Sequence, residues 1–156
     1  MRIIAIDPGF ERVGIAVMEK LSGKESLLYS DCFKTPASST FPDRLLMIGK
    51  EVEKLIRKWN PGALAIETLF FNSNQKTALR VSEARGVVVY AAAKNTLKIF
   101  EFTPLQVKIA VTGYGRAEKK QVSQMVKKLI KVGENVTSDD EIDAIAIGLA
   151  CLAGVR

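Results

Sequence analysis

Ile3-Ile4-Ala5-Ile6-Asp7-Pro8-Gly9 opens the chain with an apolar run that ends on a carboxylate and a turn sequence. Four consecutive apolar residues bounded by Pro-Gly predict a short buried strand. The apolar pattern resumes at Val13-Gly14-Ile15-Ala16-Val17-Met18, so the two segments predict a hairpin, and Leu27 to Phe33 predicts a third strand of a meander. Two further acids also sit where charge is costly: Glu67 follows Ala63-Leu64-Ala65-Ile66, and Asp143 lies among Ile142, Ala144, Ile145, Ala146 and Ile147. Carboxylates in such surroundings are rarely buried without a partner.

Downstream of the meander the period changes from strand to helix. After the loop Thr35-Pro36-Ala37-Ser38-Ser39-Thr40, residues Leu45, Ile48, Val52, Leu55, Ile56 and Trp59 recur at helical spacing until Asn60-Pro61-Gly62 stops them. Ala63 to Glu67 predicts a buried strand, and Asn74 to Asn95 a helix carrying Gly86 at its centre. A mid-helix glycine costs about 1 kcal/mol relative to alanine, so close packing against another element is the expected reason. Lys98 to Thr103 predicts a fifth strand, Pro104 a short helix, and Val122, Met125, Val126, Leu129 and Ile130 an amphipathic helix from near Ala117. Ser138-Asp139-Asp140-Glu141 has capping-box form and predicts a final helix running toward Ala153. Strands first, then strands alternating with helices, predict an α/β chain with a mixed five-stranded sheet flanked by helices.

The 156 residues carry 23 basic and 17 acidic side chains and no histidine. No imidazole is therefore present as general base, triad member or metal ligand. The length suits a single domain spanning residues 1–156. Absence of a long apolar span or a layered signal sequence predicts a cytoplasmic protein with no membrane association. Cys32 and Cys151 show no paired spacing and read as two buried apolar thiols. Charge is uneven: residues 1–71 hold ten basic and nine acidic groups, 72–131 twelve and three, and 132–156 one and five. A basic centre followed by an acidic tail suggests a polyanion surface beside a cation-binding pocket, although solvated lysine-rich faces are common.

Asp140 and Asp143 are three residues apart and project as neighbours, and Asp143 shares its side of the helix with Ala146, Ile147 and Ala150. Acids at a helix start need no function, which accounts for Asp139 and Glu141, leaves Asp140 open and does not suit Asp143. Asp7 also suits a turn and Glu67 a strand end; taken singly each has an ordinary explanation. Together the four can hold oxygen-preferring cations, magnesium or manganese, with waters and a substrate phosphate completing the shells. A pair of ions roughly 4 Å apart suits phosphodiester hydrolysis. Arg116, Lys119, Lys120, Lys127, Lys128 and Lys131, reinforced by Lys76, Arg80, Arg85 and Lys108, would contact phosphates without reading sequence. Of Phe70 and Phe71, one is expected in the core and the other free to stack on a base.

Several stretches resemble the RuvC family of bacterial Holliday junction resolvases: Ile6-Asp7-Pro8-Gly9, Ile66 to Asn72, Thr77-Ala78-Leu79 with Ala84-Arg85-Gly86-Val87, Gln106-Val107-Lys108, Ala117 to Val122, and Asp140 to Ala144. They occur in order over almost the whole chain. The resemblance implies a ribonuclease H-like fold, a homodimer, and magnesium-dependent cutting of four-way DNA junctions by paired symmetric nicks, in recombination and repair. It implies Asp7, Glu67, Asp140 and Asp143 as the metal-binding catalytic acids, Phe70 near the junction crossover, and Lys108 and Lys119 close to the cleaved phosphate. It places Arg85 and Gly86 on the dimer helix and is compatible with RuvA and RuvB branch-migration proteins as partners. Phe10-Glu11-Arg12-Val13-Gly14-Ile15 departs from the family's usual small residue and Thr-Gly-Tyr-like step and resembles YqgF-type nucleases of ribosomal RNA processing. An RNA-processing nuclease of the same fold and a junction-binding protein that does not cut are the alternative expectations.

Overall fold

A computed structural model describes residues 1–69, 75–133, 136 and 138–154. Its elements follow in the order β1 (Arg2–Asp7), β2 (Arg12–Leu21), β3 (Lys24–Lys34), α1 (Phe41–Trp59), β4 (Ala63–Glu67), α2 (Gln75–Lys94), β5 (Lys98–Phe102), α3 (Pro104–Thr112), α4 (Lys119–Leu129) and α5 (Asp139–Gly154). The five strands form one mixed sheet in the order β3-β2-β1-β4-β5. The first three strands are antiparallel, while β4 and β5 run parallel to β1. The β2 and β3 strands exceed the sequence expectation because Ser22 and Gly23, both at positive φ, make a two-residue turn that keeps Leu21 opposite Lys24.

Side-chain alternation assigns each strand two different neighbours. Ile4 and Ile6 of β1, Val13, Ile15 and Val17 of β2, and Leu64 and Ile66 of β4 pack with α1 and α2. Ile3 and Ala5, Ala16 and Met18, and Ala63 and Ala65 face the opposite way, against α3, α4 and α5. Four of the six strand residues on the second face are alanines, and α5 meets it through Gly148, where a Cβ would stand 2.4 Å from Met18 Sδ and 3.3 Å from Ala5 Cβ. The helix backbone therefore lies close to the sheet. Its residues Ile142 and Ala144 to Leu152 are buried, an extent of burial that accounts for an apolar run without a clean amphipathic period.

Helix ends follow the chemistry of their residues. Thr40 caps α1 by accepting from Asp43 N, and Asn60 ends it in the left-handed conformation. A capping box of Thr103 and Gln106 starts α3. At the start of α5, Ser138 donates to Asp140 at 3.2 Å, and Glu141 accepts from Ser30 of β3 at 3.0 Å. Glu141 thus reaches across to the sheet instead of acting only as helix-terminal charge.

Two glycines show how α2 packs within the chain. Gly86 is exposed, and among the described residues, its own helix backbone aside, nothing lies within 4 Å of the place its Cβ would occupy. The close approach between α1 and α2 comes instead from Gly49, whose Cβ would be 3.0 Å from Val87 Cγ1. Leu129, expected on the buried stripe of α4, is 52% exposed because α4 ends there and Ile130 turns in to take the buried place.

Gly14 carries the tightest consequence for the site. A Cβ there would lie 1.9 Å from the Asp140 carbonyl oxygen and 3.2 Å from Asp7 Cβ, so β2 can pass beneath the first turn of α5 only without a side chain. Urea denaturation should show Gly14→Ala destabilised by roughly 1–3 kcal/mol, the usual range for overpacking. Gly86→Ala should instead stabilise the isolated chain by about 0.5–1 kcal/mol, because a helix interior gains from alanine and nothing resists the methyl.

Candidate active site

β1 and β4 are adjacent and parallel, with Ile6 opposite Ile66. Asp7 and Glu67 therefore end neighbouring strands at the same level, and alternation from Ala5 and Ala65 turns both toward α5. The helix supplies Asp143 from its first turns and Asp140 above Gly14. All four carboxylates come within electrostatic reach. Burial pushes Asp7 from 3.8 up to about 8, helped by the charges of Asp143, Glu67 and Asp140. Glu67 rises from 4.5 to about 7, again chiefly through burial, with Asp143 adding and Lys108 and Lys119 opposing. Asp143 is also raised by burial, although Lys119 counteracts it.

Two cations meet this excess of negative charge. Lys119 Nζ stands 2.9 Å from Asp143 Oδ2 and 3.7 Å from Asp139 Oδ2. Burial disfavours its ammonium, yet the hydrogen bond and charge of Asp143 win and raise its pKa. Arg12 Nε donates to Asp140 Oδ2 at 2.7 Å. Burial alone would raise Asp140, but hydrogen bonds from Arg12, Cys32 and Ser138 hold it below the ordinary carboxylate value. Asp140 and Asp143 each pair with a cation, and no three His, Cys, Asp or Glu side chains converge as around an ion among the described residues. Neither Asp7 nor Glu67 has an ion-pair partner there.

The donor chemistry fits a divalent cation of the hard class: every candidate ligand is a carboxylate oxygen, and burial, with neighbouring carboxylates adding to it, raises Asp7 to about 8 and Glu67 to about 7. Beside the acids opens a cleft of about 290 Å³ lined by Glu67, Lys108, Lys119 and Asp143 above an apolar floor of Val107, Val122 and Ile147.

Of the basic residues expected on the nucleic-acid face, Lys108 and Lys119 line the cleft, and Lys120, Arg116 and Lys76 are exposed. Arg80 is exposed too, with its guanidinium 5.7 Å from the Phe10 ring centre and 5.2 Å from that of Phe41. Arg85 is no free phosphate ligand: Nε donates to the Glu67 carbonyl at 3.1 Å and Nη2 pairs with Glu101, tying α2 to the strand end that carries Glu67. Phe70 and Phe71 lie outside the described residues. Cys151 is buried, as expected, and burial raises its thiol to about 11. Cys32 is only partly buried and sits 3.5 Å from Asp140 Oδ2, so the expectation of two apolar thiols holds for one of them. Sequence reasoning passed over Arg12, whose one visible signal was a basic side chain within the divergent hairpin after Gly9.

Strand-end acids facing helix acids across a mixed β3-β2-β1-β4-β5 sheet define a ribonuclease H-like nuclease. A profile of the family described as crossover junction endodeoxyribonuclease RuvC matches residues 3–151. The chain is 51% identical over 149 residues to the protein of that name from Ruminiclostridium cellulolyticum, covering 96% of this chain and 90% of the relative. It is 43% identical to the one from Finegoldia magna over 156 residues, 100% and 95% of the two chains. Thermus thermophilus RuvC, solved in complex with a Holliday junction substrate, superposes with a TM-score of 0.88 at 31% identity, covering 96% of this chain and 92% of that one. The yeast mitochondrial Holliday junction resolvase shares the fold, with a TM-score of 0.73. The chain belongs to the RuvC family, which decides against the YqgF-like reading of the hairpin.

The crowding has a thermodynamic consequence. Folded Asp7 and Glu67 bind their protons more tightly than the unfolded chain does, so between about pH 4 and 8 the folded state holds more protons and loses stability as pH rises. In chelator-treated buffer, wild-type stability should fall from pH 5 to pH 8 with a slope of order 1 kcal/mol per pH unit. Asp7→Asn should flatten most of that slope in thermal or urea melts.

Proposed function

We propose that the protein is a structure-selective endonuclease that resolves four-way DNA junctions by paired symmetric nicks, acting as a homodimer. The observation that carries this reading is the placement of Asp7 and Glu67 at the ends of adjacent parallel strands, with Asp140 and Asp143 of α5 within electrostatic reach of Asp7, in a chain whose relatives are named crossover junction endodeoxyribonucleases. Asp7, Glu67, Asp140 and Asp143 would hold two magnesium ions, with manganese able to substitute. Bound there, the cations supply positive charge for activating water and for the departing 3′ oxygen of the phosphodiester.

The protein's own groups do the rest. Lys119 and Lys108 line the cleft and give a phosphate two positive partners beside the acids. The apolar floor of Val107, Val122 and Ile147 limits water around them and strengthens those interactions. Arg85 keeps Glu67 in place through the strand-end carbonyl. Lys76, Arg80, Arg116 and Lys120 contact backbone phosphates of the junction arms, and Phe70 stacks at the crossover. The exposed helix face around Gly86 seats a second copy, which gives two equivalent sites for two equivalent strands. A branch-migration motor of the RuvA and RuvB kind is the partner class this reading implies.

A synthetic four-way junction with magnesium should yield paired nicks bearing 5′ phosphate and 3′ hydroxyl ends that a ligase seals. Asp143→Asn should lose more than roughly 100-fold in cleavage, since even outer-shell metal partners cost up to that much, while still binding the junction. Cutting undiminished by that change contradicts the proposal. Lys120→Ala should weaken binding to all junction sequences alike and lower the salt dependence of binding by about one ion.

A further inference from the structure

Arg12 stands where the hairpin backbone is firmly held. Thr35 bonds to it twice, its N donating to the Glu11 carbonyl at 3.0 Å and its Oγ1 to the Phe10 carbonyl at 2.7 Å. From that fixed base the guanidinium crosses to the start of α5, 128 residues away in sequence, and donates through Nε to Asp140 Oδ2 at 2.7 Å and through Nη2 to Ser138 Oγ at 3.1 Å. Ser138 Oγ and Cys32 Sγ approach the same Oδ2, at 3.2 and 3.5 Å. Three donors thus converge on one oxygen of an acid that the proposed reaction needs as a metal ligand. A guanidinium is a permanent cation that cannot be titrated away, and its side chain here is half exposed, with solvent on one side of it.

We propose that Arg12 is a placeholder cation: in the free protein it occupies Asp140 in the position of a divalent cation's charge, and it must release Oδ2 before that carboxylate can serve as a ligand. This rests on the nuclease reading and adds to it a positioning residue specific to this hairpin. The arrangement settles one member of a crowded acid group without metal. It also makes metal affinity lower than the four acids alone would give, because binding has to displace an ion pair. A purely structural role, in which Arg12 is a strut that aims Asp140 at the site, predicts the opposite sign.

Calorimetric titration of Mn²⁺ into the free protein, without DNA, separates these. Arg12→Gln should bind Mn²⁺ roughly threefold or more tightly than wild type, the scale of a half-exposed ion pair. Arg12→Lys, which keeps the charge but loses the forked contact, should fall between them. In an Asp140→Asn background the Arg12→Gln change should leave Mn²⁺ affinity where it was. The Mn²⁺ concentration giving half-maximal junction cleavage should fall in Arg12→Gln by the same factor as the dissociation constant. Unchanged or weaker Mn²⁺ binding by Arg12→Gln, with wild type still binding and cutting, overturns the placeholder and leaves the nuclease reading standing. A wild-type protein that neither binds Mn²⁺ nor cuts the junction overturns both.

Discussion

Close packing of α5 on the small-residue face of the sheet is the constraint on which the rest of this structure depends. Ala5, Ala16, Ala63 and Ala65 leave room on that face, and Gly148 lets the helix backbone settle into it against Met18. The same face continues to the strand ends, so the residue after Ile6 and the residue after Ile66 are aimed at the helix without any further device. Gly14 repeats the logic one strand over, under the Asp140 carbonyl. Larger side chains at these points would lift α5 and separate its acids from Asp7 and Glu67.

Bringing carboxylates together this way is costly, and the fold shows how the cost is distributed. Asp143 and Asp140 take Lys119 and Arg12 as partners, while Asp7 and Glu67 keep only longer-range relief and shift toward protonation. A divalent cation would relieve all four at once, which links metal binding to folding stability as well as to hydrolysis. Arg85 shows that basic residues near the site are not one population: it braces Glu67, whereas Lys108 and Lys119 face the cleft where a phosphate would enter.

Local patterns carried much of this in the sequence. Apolar runs ending on Asp7 and Glu67 marked strands and their acids together, helical spacing marked α1 and α4, and the position of Asp143 among isoleucines and alanines announced a charge facing inward. The mixed sheet and its flanking helices followed from the order of periods. Contacts between distant segments were not legible, because period and propensity say nothing about which surface meets which. Gly49, which no local pattern singled out, makes the close approach between α1 and α2, since a glycine's neighbours depend on the approach of another helix. Cys32 looked apolar until β3 was placed beside Asp140, and Arg12 drew no notice of its own because its partner lies 128 residues away on α5.

The central claim is that fold-imposed crowding of these acids creates a place for a divalent cation, and Asp7 reports on it most directly. Carbon-13 NMR titration of its carboxyl should give a pKa near 8 in chelator, against an ordinary 3.8. With saturating magnesium the same signal should titrate at or below the ordinary value. A carboxyl that titrates normally without metal, or one that magnesium leaves unmoved, would contradict the account.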